Sequence, residues 1–183
     1  MRLPIPPDHA LHRWFSGLVQ QAMYADVGLC DPTLVDYLAE LLTQFIHTDR
    51  IFPFRDAQGK PIEDVAELLE HVLHQPSPAP QVRDRVIHRH VGDFTLFWTS
   101  IYPENLRRLR ARHRKDHLLD YTQQGKRSYA IASELSDAGA EPPASLLKLL
   151  SDEFETCMYG LGIVREQVRT AAVENVPPKP IWK

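Results

Sequence analysis

The sequence predicts an all-α protein, a single-domain bundle of about five to seven helices. Three observations carry that reading. Apolar residues recur every three to four positions along most of the chain. No segment alternates polar and apolar residues as a half-buried strand does. Proline clusters near 4–7, 76–80, 142–143 and 177–180 cut the chain into helix-length pieces. At 183 residues the chain has the length of one domain. A bundle over 1–172 and a proline-rich tail over 173–183 are expected.

The first helix is predicted to start near Asp8, an N-cap residue type, and to end near Gly28. Leu11, Trp14, Phe15, Leu18, Val19, Ala22 and Met23 mark its inner face. Asp31-Pro32 opens the second helix, because a proline in the first turn forgoes only an amide that has no intrahelical partner. Leu34, Leu38, Leu41, Leu42 and Phe45 form its core stripe. A loop over 51–59 carries Phe52 and Phe54, and a third helix follows over 62–74. The next helix, 82–102, places Val86, Ile87, Val91, Phe94, Phe97, Trp98 and Ile101 in one arc, and Pro103 ends or kinks it. A short basic helix or turn over 104–115 comes next. A long helix over 116–137 then aligns the small residues Gly125, Ser128 and Ala132, where a neighbour can approach closely. One last helix over 144–171 carries a near-heptad seam that includes Leu150, Phe154, Cys157 and Leu161.

Composition narrows the class. Hydrophobic residues at 43% and charged residues at 25% match a globular protein and argue against wholesale disorder. Two cysteines are too few for a disulfide scaffold. No apolar run approaches bilayer length and residues 1–8 do not resemble a signal peptide, so a soluble, cytoplasmic protein is expected, with no membrane partner. The net charge of −3 conceals a segregation. Positions 83–115 hold nine cations and three anions, or +6, leaving 12 cations and 21 anions, or −9, elsewhere. That asymmetry suits an anionic partner or self-association.

Four groups of residues are candidates for chemistry. Glu67, Glu70, His71 and His74 share one helical face at spacings that could hold zinc or iron, the only cofactor the sequence suggests. The stripe lies opposite Leu68, Leu69 and Val72, so it faces solvent unless another helix covers it. His90 falls inside an apolar arc and needs a hydrogen-bond partner, for which Tyr121, Tyr129 and Glu153 are candidates. Asp93 borders Phe94 and Phe97 and calls for a cation such as Lys126 or an arginine. Arg107, Arg108, Arg110, Arg112 and Arg114 could grip phosphates, although no nucleic-acid-binding signature or interleaved aromatic residues accompany them. Cys157 reads as a core thiol rather than a nucleophile. Phosphate-binding loops, nucleophile elbows and zinc-protease motifs are missing.

Three stretches form a recognisable series: 37–46 (YLAELLTQFI), 91–106 (VGDFTLFWTSIYPENL) and 121–129 (YTQQGKRSY). Their order resembles a group of bacterial all-helical proteins in which a Gly-Asp, aromatic, Leu-Phe, Pro-Glu segment precedes a Tyr, Gly, Tyr helix. The resemblance implies no activity. It does imply that Asp93, Glu104, Tyr121, Lys126 and Tyr129 form one neighbourhood. Three functions therefore remain open. One is an interaction or scaffold module, with a protein partner or as a homodimer. Another is a small-molecule- or metal-binding enzyme with its pocket near His90, Asp93 and Tyr121. The third is anion or nucleic-acid binding through the 107–115 run.

Overall fold

The computed structural model describes residues 9–46, 48–56, 58–74, 78–105 and 120–174. It is an all-α helical bundle, and the only β pairing among the described residues is an isolated bridge between Arg55 and Pro61. The helices are α1 (Ala10–Gln21), α2 (Pro32–Gln44), the short α3 (Thr48–Ile51), α4 (Val65–His74), α5 (Pro80–Ile101), α6 (Tyr121–Glu134), α7 (Ala144–Asp152) and α8 (Phe154–Glu174). None of them is long and apolar enough to cross a membrane.

Local chemistry sets most of the boundaries. His9, rather than Asp8, caps α1 by accepting the Leu11 amide at 3.2 Å; Asp8 lies outside the described residues. The helix widens into a π-turn over Ala22–Val27 and stops at Gly28, whose φ of 82° suits a residue without a Cβ. Asp31 caps α2 by accepting the Leu34 amide at 2.9 Å, with Pro32 in the first turn. Asp120 caps α6 through the amides of Thr122 and Gln123. The single C-terminal helix expected over 144–171 is divided at Glu153. The division lets α7 lie along α6 while α8 packs on α5 and the π-turn.

Helix α5 is the axis of the bundle. Positions 90–97 are buried without a break, so the single apolar arc expected for this helix understates how much of its circumference is covered. Its N-terminal turns lie outside that cover, and Val82 and Val86 are exposed. The most extensive helix pair is α5 with α6. Small residues permit it: a Cβ on Gly92 would lie 2.6 Å from the Tyr129 ring, and one on Gly125 would collide with the Thr95 hydroxyl of α5. Ser133 Oγ donates to the Ala144 carbonyl and Ser151 Oγ to that of Lys126, each at 2.8 Å, which ties α6 to α7.

Candidate functional site: a cleft over a buried carboxylate

Arg89 and Asp93 lie one turn apart on α5. Helix α2 brings Tyr37 to one side of Asp93, and α6 brings Tyr129 to another. The Asp93 carboxylate is buried, and its Oδ1 accepts the Tyr37 hydroxyl at 2.6 Å and the Tyr129 hydroxyl at 2.7 Å. Its Oδ2 lies 3.8 Å from Arg89 Nε, an ion-pair distance beyond hydrogen-bond reach. One carboxylate thus joins three helices.

Arg89 is the least satisfied member of the group. Its Nε is buried without a hydrogen-bond partner, and the guanidinium donates no hydrogen bond to any described residue. Even so, its side chain keeps 36% of its accessible surface, so part of it can be reached from outside. Burial works against the guanidinium's charge, but Asp93, the two tyrosines and Glu40 more than offset this and hold its pKa above the ordinary value. Burial pushes the Asp93 pKa up, against the lowering effect of Arg89 and the two hydroxyls. Both tyrosines sit well above the ordinary phenol value through burial and the adjacent carboxylate, so they remain donors at neutral pH.

The group opens on a cleft of about 360 Å³ between α2, α5 and the start of α7. On α2, Asp36, Tyr37 and Glu40 line it at helical spacing, with Leu41 and Phe45 as apolar neighbours. Glu141 and Pro142 form the opposite wall. Arg85, one turn before Arg89, fixes that wall by donating to Ser136 Oγ and to the Pro142 carbonyl, each at 2.7 Å. Four carboxylates (Asp36, Glu40, Asp93 and Glu141) thus line a cleft whose only Lys or Arg among the described residues is Arg89.

The residues expected to share one neighbourhood are divided. Asp93 and Tyr129 meet. Lys126 instead pairs with Glu155 at 2.9 Å, because it points from α6 toward α8 rather than toward α5. Glu104 pairs with Arg165 at 3.3 Å, at the far end of α5. Tyr121 is fully buried and packs against Phe94, away from the cleft.

His90 is buried, but Tyr121, Tyr129 and Glu153 are not its partners. It bonds to the Ile51 backbone and packs against Phe45, Phe54 and Phe94, so Phe54 of the 51–59 loop helps seal it into the core. Burial takes its pKa down to about 4, which keeps the ring neutral. It does not line the cleft.

On α4, Glu67 is half-buried and Glu70 exposed; the side chains of His71 and His74 lie outside the described residues. Among the described residues no three His, Cys, Asp or Glu side chains are grouped to hold a metal ion. Arg107, Arg108, Arg110, Arg112 and Arg114 all fall outside the described residues. Cys157 is a buried thiol raised to about 12 by burial, and therefore unreactive. A second, mostly apolar cavity of about 620 Å³ lies between α1, α5 and α8, and Phe45 borders both cavities.

Sequence reasoning missed Tyr37, Glu40, Glu141 and the role of Arg89. The i,i+4 spacing of Arg89 and Asp93 was a usable signal. Tyr37 is 56 positions from Asp93 and had none. No protein-family model, curated protein or solved structure matches the chain.

Proposed function

We propose that this protein binds a small molecule in the cleft between α2, α5 and the 141–146 segment. The observation that carries the reading is Arg89. Its side chain lines an open cleft and donates no hydrogen bond to any described residue, and its Nε stands 3.8 Å from a buried carboxylate. Buried polar groups in folded proteins are almost always satisfied, and one left short beside a cavity marks a place for a partner. A purely structural lock would close the guanidinium onto Asp93. Here the two tyrosines hold Asp93 by its other oxygen. With that carboxylate fixed, a ligand meets a preset polar base rather than one that must reorganise.

Protein-observed NMR against a library of small polar compounds tests the reading. Shifts gathering on Tyr37, Glu40, Arg89 and Glu141 are expected for at least some compounds. A library that moves none of these resonances contradicts it.

A further inference from the structure

We infer that the ligand is a small zwitterion, held by its carboxylate on Arg89 and by its ammonium group among Asp36, Glu40 and Glu141. The inference rests on the small-molecule reading and adds the ligand's chemical class. A guanidinium is a planar fork of donors matched to a carboxylate, and this one belongs to a partly accessible side chain and donates no hydrogen bond to any described residue. A simple anion that reached it would pass three exposed carboxylates, with Asp93 behind them. A simple dication would satisfy those carboxylates and leave the guanidinium facing like charge. Only a molecule carrying both signs answers both walls. The two sites are on different elements: Arg89 on α5 at the base, and Asp36 and Glu40 one turn apart along α2, with Glu141 across from them. Leu41, Phe45 and Leu146 supply apolar surface for a short methylene stem. A volume of about 360 Å³ accommodates an amino acid of the size of lysine. Because Arg85 fixes the Glu141 wall, the distance between the two charge sites is set before the ligand arrives.

Calorimetric titration of the full chain with L-lysine, 1,5-diaminopentane and glutarate tests the inference. The second probe lacks the carboxylate and the third lacks the ammonium groups. Lysine is expected to bind at least tenfold more tightly than either. Arg89→Gln should erase the preference for lysine over the diamine. Glu141→Gln, a change on the exposed rim, should weaken lysine severalfold without disturbing the fold. Equal binding of lysine and diamine by the wild type overturns the inference. So does a preference that survives Arg89→Gln in a variant with an unchanged thermal transition. Should Arg89→Gln fail to fold, the wild-type probe series and Glu141→Gln still decide. Compounds that bind in the cleft while lysine does not would remove the zwitterion and leave the small-molecule reading standing. A silent library together with no lysine binding removes both.

Discussion

Helix α5 buries polar groups on two sides, and it does so differently on each. Toward α6 the backbones are close. Gly92 admits the Tyr129 ring, Gly125 admits the Thr95 hydroxyl, and Thr95 bonds back within its own helix to the Val91 and Gly92 carbonyls at 2.8 and 3.0 Å. On that side Thr95 is satisfied within its own helix. Toward α2 the helix carries Arg89 and Asp93, which cannot satisfy each other at 3.8 Å and which border a cleft. A hydroxyl can be buried using its own helix, whereas a carboxylate must draw donors from two other helices. The first arrangement permits close packing; the second leaves a guanidinium incompletely used and space beside it.

The sharpest way to break this contrast is to fill the closely packed side. Gly92→Val should destabilise the protein by about 3 kcal/mol, because the tyrosine ring it meets is itself tied to Asp93. Chemical denaturation measures it. A loss below about 1 kcal/mol would mean that the two helices are not closely packed there.

Asp93→Ala attacks the other side. It leaves Arg89 unpaired and strips the acceptor from the buried Tyr129 hydroxyl, and it should cost about 3 kcal/mol by the same measurement.

The pH dependence separates the core from the cleft. His90 has its pKa lowered from 6.5 to about 4, so the unfolded chain takes up a proton between those values while the folded protein does not. Stability should therefore fall by about 3 kcal/mol as pH drops from 6.5 to 4, and His90→Phe should flatten that slope. Asp93 works in the opposite direction. Its raised pKa means that the folded state holds the proton more tightly, a contribution present at acid pH and lost as pH rises past the ordinary carboxylate range. Asp93→Asn should consequently steepen the acid loss of stability. A profile identical to wild type in both variants would contradict the assignments.

The two hydroxyls on Asp93 should rank by burial. Tyr129→Phe is expected to cost about 2 kcal/mol and Tyr37→Phe about 1 kcal/mol, since Tyr37 lines the cleft and water can replace part of what is lost. The double variant should cost less than the sum, because both bonds end on one oxygen. The smallest effect is expected at Gly17, where a Cβ meets nothing within 4 Å. Gly17→Ala should stabilise α1 by about 0.5 kcal/mol, opposite in sign to Gly92→Val.

Much of the fold was legible because its causes are local. Asp31-Pro32, Gly28 and the seam of α8 each act within a turn or two of chain. The closeness of α5 and α6 was visible in Gly125, Ser128 and Ala132. The depth of α5 was less legible, because a helix covered on several sides has no single stripe to read. The site was hardest. Asp93 and Tyr129 could be suspected, but Tyr37 and Glu141 come from segments that only the packing brings near them. Lys126 and Glu104 show the converse: the resemblance implied one neighbourhood, whereas helix orientation assigned their ion pairs to α8.

The claim on which the functional account stands is that the cleft over Arg89 and Asp93 receives a ligand. Crystals soaked with L-lysine, in a lattice that leaves the cleft open, test it most directly. The account predicts density in the cleft, with the carboxylate in hydrogen-bond contact with the Arg89 guanidinium and the ammonium groups toward the α2 carboxylates. A cleft holding only water, with Arg89 closed onto Asp93, would contradict it.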